Sequence, residues 1–165
     1  MKARMDPRHL SRLDVQGFDS VDEDDLAQVA RWLRLAMALC ATLAIIGTAL
    51  ASTPLLWALT GIAFAGALFP VHPFDLIYNL GIRHVTGTGP LPKRGPPGRF
   101  ACALATIWLV GTIWAFGSST PALGYVLGFS LGAVGLLVGT MDICVPSMIW
   151  RAVFGPPKQR VGGDS

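Results

Sequence analysis

Ten residues have side chains suited to acid–base, thiol or metal chemistry and fall at one depth relative to the apolar runs of the chain. His72, Asp75, Tyr78, Asn79, Arg83 and His84 follow the second run, Cys102 opens the third, and Asp142, Cys144 and Arg151 follow the fourth. Asp142 is the acid nearest an apolar core, where ionisable groups are costly and often functional. It can accept a proton in such a site, or anchor the chain by pairing with Arg83 or Arg151 or by capping the next helix. Cys102 and Cys144 could form a redox pair or carry sulfur, with Asp142 as proton acceptor; the first expectation for each is a small apolar filler. The three cysteines include no CxxC. His72, His84, Asp75, Asp142 and Cys144 lack a recognised metal-ligand spacing. No apolar run contains a histidine to ligate a haem. A phosphate loop, a nucleophile elbow and a metalloprotease helix are all missing. The expectation is therefore no metal and no cofactor.

The elements that position these residues follow from composition. The chain has 165 residues, 52% of them hydrophobic and 14% charged, with a mean hydropathy of +0.53. Soluble domains carry roughly 25% charged residues, so the balance argues against a soluble enzyme and for a membrane protein. Four apolar runs cover residues 33–51, 55–69, 100–117 and 122–141, with Arg34 at the head of the first. A crossing takes about 20 residues, so the second run is short. The basic residues support counting it. Lys2, Arg4, Arg8, Arg12, Arg31 and Arg34 cluster at the start; Arg83, Lys93, Arg94 and Arg99 lie between runs two and three; Arg151, Lys158 and Arg160 follow run four. The connectors after runs one and three contain none. Four spans put every basic residue on one face, which the positive-inside rule assigns to the cytoplasm together with both termini.

The expected fold is an all-α membrane protein of four transmembrane helices in two hairpins, with short interfacial helices after spans two and four. Residues 1–19 form a polar N-terminal segment, 20–155 the membrane domain and 156–165 a tail. Ser20 and Glu23 have the spacing of a capping box, from which a helix could run unbroken into the first span. Phe74–Arg83 and Pro146–Phe154 read as interfacial helices, and Gly87–Gly98 as an extended loop. Gly124, Gly128, Gly132, Gly135 and Gly139 share one face of the fourth span in an extended GxxxG pattern, which lets another helix approach closely. Ala36, Cys40, Ala44, Gly47 and Ala51 form a similar stripe on the first. Such faces serve packing inside a bundle, or contact with a partner helix.

Three segments carry a family resemblance: His72-Pro-Phe-Asp-Leu-Ile-Tyr-Asn-Leu-Gly-Ile-Arg83, Arg99-Phe-Ala-Cys-Ala-Leu-Ala105 and Met141-Asp-Ile-Cys-Val-Pro146. Together they make the chain similar to the domain-of-unknown-function 4395 family over roughly residues 21–155. The resemblance implies a multi-pass protein of the bacterial cytoplasmic membrane. It also implies association of some relatives with thioredoxin-like or rhodanese-like proteins, hence thiol or sulfur chemistry. Two functions follow as expectations. One is a non-catalytic accessory or scaffolding subunit that packs against the helices of a larger membrane complex, such as an energy-transducing one. The other is a membrane thiol-redox or sulfur-handling protein acting through Cys102 and Cys144. The expected partners are the lipid bilayer and other membrane-protein helices. Nucleic acid is not among them, because the net charge of +3 comes from loops that flank spans.

Overall fold

The structure, a computed structural model, describes residues 5–157. The regular structure of those residues is all helical, with no strand among them. A short helix α1 (Pro7–Leu13) comes first. Then come α2 (Glu23–Ala49), α3 (Thr53–Leu68), the short α4 (Pro73–Ile77) and α5 (Arg83–Thr86), α6 (Pro96–Gly117), α7 (Pro121–Met141) and α8 (Val145–Phe154). Tyr78–Ile82 joins α4 to α5 through wider helical turns. At about 1.5 Å per residue, α2, α6 and α7 each exceed the ~30 Å of a hydrocarbon core. These three are long and apolar enough to cross a membrane. The pair formed by Thr53–Leu68 and Pro73–Thr86, bent by 86°, makes up to four.

Local chemistry explains the boundaries. Proline stands in the first turn of α1, α3, α4, α6, α7 and α8, where its missing N–H is no loss. Glu23, Asp24 and Asp25 fill the first turn of α2, complementing the positive end of its dipole. The expected capping box does not form. Asp22 is the N-cap, and Glu23 Oε1 accepts the Met5 N–H at 3.0 Å. From there α2 runs unbroken, as its sequence implied. At the far end of α3, Arg99 donates to the carbonyls of Ala67 at 3.0 Å and Leu68 at 2.8 Å, so the first turn of α6 satisfies the last turn of α3.

Most of the packing runs between the two halves of the chain. α2 lies along α7 and α3 along α6, α6 also touches α7, and α2 meets α3 over a much shorter stretch. The glycine stripe explains the first pairing. A Cβ added at Gly128 would lie 2.1 Å from Thr48 Oγ1, and one at Gly132 would lie 2.4 Å from Ile45 Cγ1. At Gly135 the neighbour is Ala41, at Gly139 Ala38, and at Gly124 the Phe116 ring. Four of the five glycines thus face α2. Trp108, in the middle of α6, is fixed by an indole N–H to the Leu127 carbonyl at 3.0 Å.

Two apolar cores result. One joins Ala44, Leu56, Leu59, Ala63, Leu109 and Ile113 between the long helices. The other joins Leu13, Phe18, Leu26, Val29, Leu33, Tyr78 and Leu91 at the charged end. The second was not expected. The polar N-terminal segment contains α1, and Leu10, Leu13 and Phe18 pack against Leu26, Val29 and Leu33 of α2. Gly17 makes this possible: its φ is 99°, and its carbonyl lies 2.6 Å from where a Cβ at Gly95 would stand. Large apolar side chains remain outside, among them Trp57, Phe64, Ile107, Trp114 and Val126. That inside-out distribution suits lipid rather than water.

Candidate functional site

The polar residues at the charged end separate into three constellations. In the first, His72 is the N-cap of α4. Its Nδ1 accepts the Phe74 N–H at 3.3 Å, and its Nε2 lies 3.9 Å from Cys40 Sγ. The residue is 1% exposed. Burial, and then the nearby Arg94 charge, lower its pKa to about 4 against the opposing pull of Asp75. The ring is therefore neutral at physiological pH. Asp75, one turn along, takes both arms of Arg94: Nε at 2.9 Å and Nη2 at 3.1 Å. Arg94's own N–H donates to the Pro70 carbonyl at 2.7 Å. Tyr78 is fully buried, hydrogen-bonded to the Thr88 hydroxyl, with its ring 5.2 Å from that of Trp32. Asn79 Oδ1 accepts the Leu91 N–H at 2.9 Å. Asp75, Tyr78 and Asn79 thus fasten the proline-rich loop to its helix. Arg83 contacts His84 at 3.5 Å and lies apart from these bonds.

Asp142 anchors the second constellation. It ends α7 in a left-handed conformation, φ 56°, and is 3% exposed. Neither expected partner holds it. Arg34 donates to both carboxylate oxygens, His9 Nε2 lies 2.9 Å from Oδ2, and Gln16 donates to its carbonyl at 2.9 Å. Arg12 bonds the adjacent Met141 carbonyl at 2.8 Å. Arg151 anchors the third, donating to the carbonyls of Asp14 at 2.8 Å and Val15 at 3.3 Å and to the Asp19 carboxylate at 3.2 Å. Asp142 and Arg151 therefore bind the N-terminal segment rather than each other. His9, Arg34 and Arg94 are the residues the sequence reading missed. The two arginines were present only as unassigned basic charge, and His9 carried no signal of its own.

The cysteines are brought together. Cys40, Cys102 and Cys144 are all free thiols, and all three line one apolar cavity of about 290 Å³ between α2, α3, α6, α7 and α8, with His72 in its wall. Small residues explain the space: Ala41, Ala44, Ala63, Ala101, Ala105 and Gly135 all face it. Cys102 Sγ packs beside the His72 ring, both within 3.2 Å of the point where a Cβ at Gly66 would stand. Cys144 is the N-cap of α8, and Ser147 donates to its sulfur at 3.1 Å. A void of about 20 Å³ adjoins the cavity, lined by Cys144, Arg94, Gln16 and Ser147. Among the described residues no group of three or more His, Cys, Asp or Glu is placed to hold a metal ion.

Long apolar helices, an exterior of exposed apolar side chains and a polar cap at one end define an all-helical protein suited to a lipid environment. The chain belongs to the family described as Domain of unknown function (DUF4395), whose family model matches residues 30–154. The match takes in the cavity, its three cysteines and His72, and excludes α1. No curated protein and no solved structure matches the chain.

Proposed function

We propose that this is a four-span protein of the bacterial cytoplasmic membrane whose interior cavity handles thiols, by redox exchange or by carrying sulfur. The spans are α2, α3, α6 and α7, in two hairpins that pack across one another. Residues 20–155 form the membrane domain, and 1–19 and 156–165 flank it. The one-sided basic residues favour cytoplasmic termini and a cytoplasmic central loop. One observation carries the functional reading: every cysteine of the chain, on α2, on α6 and at the N-cap of α8, lines the same cavity beside one buried histidine. Three cysteines used only as fillers have no reason to converge. A thioredoxin-like or rhodanese-like partner, implied by the family resemblance, fits exchange from the cytoplasmic face.

The reading moves the chemistry from the pair Cys102 and Cys144 to a trio with Cys40. It also takes Asp142 out of the proton-acceptor role, because Arg34 and His9 occupy its carboxylate. The accessory-subunit reading drew on the glycine stripe, and that stripe is used inside the bundle against α2.

The test is alkylation in native membranes. N-ethylmaleimide, small and apolar, is expected to modify the cavity cysteines, and a sulfonated maleimide to modify none until detergent denatures the protein. Disulfide stress before alkylation is expected to lower the number of reactive thiols by two. If all three cysteines ignore both N-ethylmaleimide and the oxidant in the folded protein, the thiol reading falls.

A further inference from the structure

His72 donates into the cavity without an adequate acceptor. Because its Nδ1 accepts a backbone N–H, the proton of the neutral ring is on Nε2. The contact made by that N–H is Cys40 Sγ at 3.9 Å, and a thiol sulfur is a weak acceptor. The residue is 1% exposed, so water does not substitute, and a buried donor left this poorly matched is costly. The low pKa of His72 agrees with a ring that stays neutral and keeps this proton. The hydroxyl of the wall, Ser130, is already bonded to the Leu127 carbonyl at 2.8 Å. A ligand that fits is therefore an apolar body with a hydrogen-bond-accepting oxygen.

Size and access narrow this further. The volume of about 290 Å³ is close to the lower bound of small-molecule sites and accommodates one substituted ring. Trp108 and Ile149, in the cavity wall, are 45% and 49% exposed on the apolar exterior, so the cavity is reached from lipid. On the thiol reading, joining two of the three thiols in the wall as a disulfide needs an acceptor of two electrons.

We propose that the cavity binds the head group of a lipid-soluble quinone, one of whose carbonyl oxygens accepts the His72 Nε2–H, with the tail leaving between Trp108 and Ile149. This rests on the thiol reading for the choice of a quinone among carbonyl-bearing lipids. The step balances: two of the three thiols lose their S–H bonds and form one S–S bond, and the quinone oxygens take up the two protons and two electrons to give the quinol.

The test uses the full-length protein in nanodiscs, titrated anaerobically with decylubiquinone, with binding followed by calorimetry and free thiols counted afterwards. His72→Phe keeps a flat ring and removes the donor. Ala105→Phe fills the cavity and leaves His72 in place. Circular dichroism and size exclusion confirm folding of both. Saturable binding to the wild type is expected, about tenfold weaker in His72→Phe and undetectable in Ala105→Phe, with two thiols lost per quinone reduced. Binding with that variant pattern but no loss of thiols supports the site and overturns the thiol reading. Absence of saturable binding to the folded wild type overturns the site, even where the cysteines react with maleimide. So does equal binding by wild type and Ala105→Phe.

Discussion

Breaking the Asp75–Arg94 pair measures how much the fold beside the cavity depends on a buried ion pair. The two side chains are 3% and 8% exposed and joined by two hydrogen bonds of 2.9 and 3.1 Å. Arg94 ties the proline-rich loop to α4, next to His72. Asp75→Asn keeps the shape and removes the charge, which leaves a guanidinium buried without a counter-ion. Removing one partner of a buried pair costs about 3–5 kcal/mol, whereas replacing both by apolar residues of similar volume is often neutral or stabilising. The retained amide oxygen can still accept one of the two bonds, so the lower figure, about 3 kcal/mol, applies to Asp75→Asn. Arg94→Met, which strands a carboxylate, belongs near the upper one. The double variant Asp75→Leu/Arg94→Met is expected to return to within about 1 kcal/mol of the wild type. Unfolding in mixed micelles at increasing SDS fraction, followed by circular dichroism, gives all four values under one condition. Single variants that lose less than about 1 kcal/mol refute the claim that the pair is desolvated. A double variant as unstable as the sum of the singles refutes the claim that the charges, rather than their packing, set the cost.

Three further outcomes follow from particular contacts. Gly128→Ala places a methyl 2.1 Å from Thr48 Oγ1 and is expected to cost about 1–3 kcal/mol in the same unfolding assay; Thr48→Ala, which removes the atoms at 2.1 and 2.6 Å but leaves Cβ at 2.8 Å, should recover part of it. Gly111→Ala, with nothing within 4 Å, should be neutral or gain up to ~1 kcal/mol of helix propensity, and an equal loss at both glycines would contradict the packing. Because the pKa of His72 is lowered from 6.5 to about 4 on folding, the unfolded chain takes up its proton first as pH falls. Stability is then complete above the unfolded value and declines as pH drops from about 6.5 toward 4, by about 2 kcal/mol between pH 7 and 5. His72→Gln should remove that part of the slope, and an unchanged slope counts against a buried neutral ring among Arg94, Asp75, Cys40 and Cys102. Finally, Asp142→Leu removes the acceptor shared by Arg34 and His9, so limited proteolysis should cut before residue 20 at least several-fold faster while α2–α8 persists. Equal cutting rates would mean that the segment is held elsewhere.

What the sequence made legible depended on the range of the signal. Apolar runs and one-sided charge are properties of single segments, and they located the long helices to within a few residues except at α2, whose first twelve residues carry the acids and arginines that a hydropathy window rejects. Pairing is not such a property. Asp142 required a cation, and thirteen lysines and arginines were available by charge alone; the one it takes, Arg34, lies 108 residues away. The N-terminal segment was opaque for a related reason. Leu10, Leu13 and Phe18 are too widely spaced among polar residues to announce a core, and they form one only because Gly17 turns the chain under α2 against Gly95.

Cys40 shows how one residue can be read correctly for its size and missed for its chemistry. In the stripe Ala36, Cys40, Ala44, Gly47, Ala51 it counts as a small residue that lets helices approach. On α2 that description holds for Ala41 and Ala38, which meet Gly135 and Gly139 of α7. Cys40 is offset from this contact, and the small residues across from it, Ala63 on α3 and Ala105 on α6, are too short to close the space between helices that α2–α7 packing holds at a fixed separation. A bundle can remove such a void with one larger side chain at any of these positions, and close packing normally favours that. Here the void persists, with a buried imidazole and three thiols in its wall. Its persistence is the strongest physical reason to regard the small residues as making room for a ligand rather than merely allowing helices to touch.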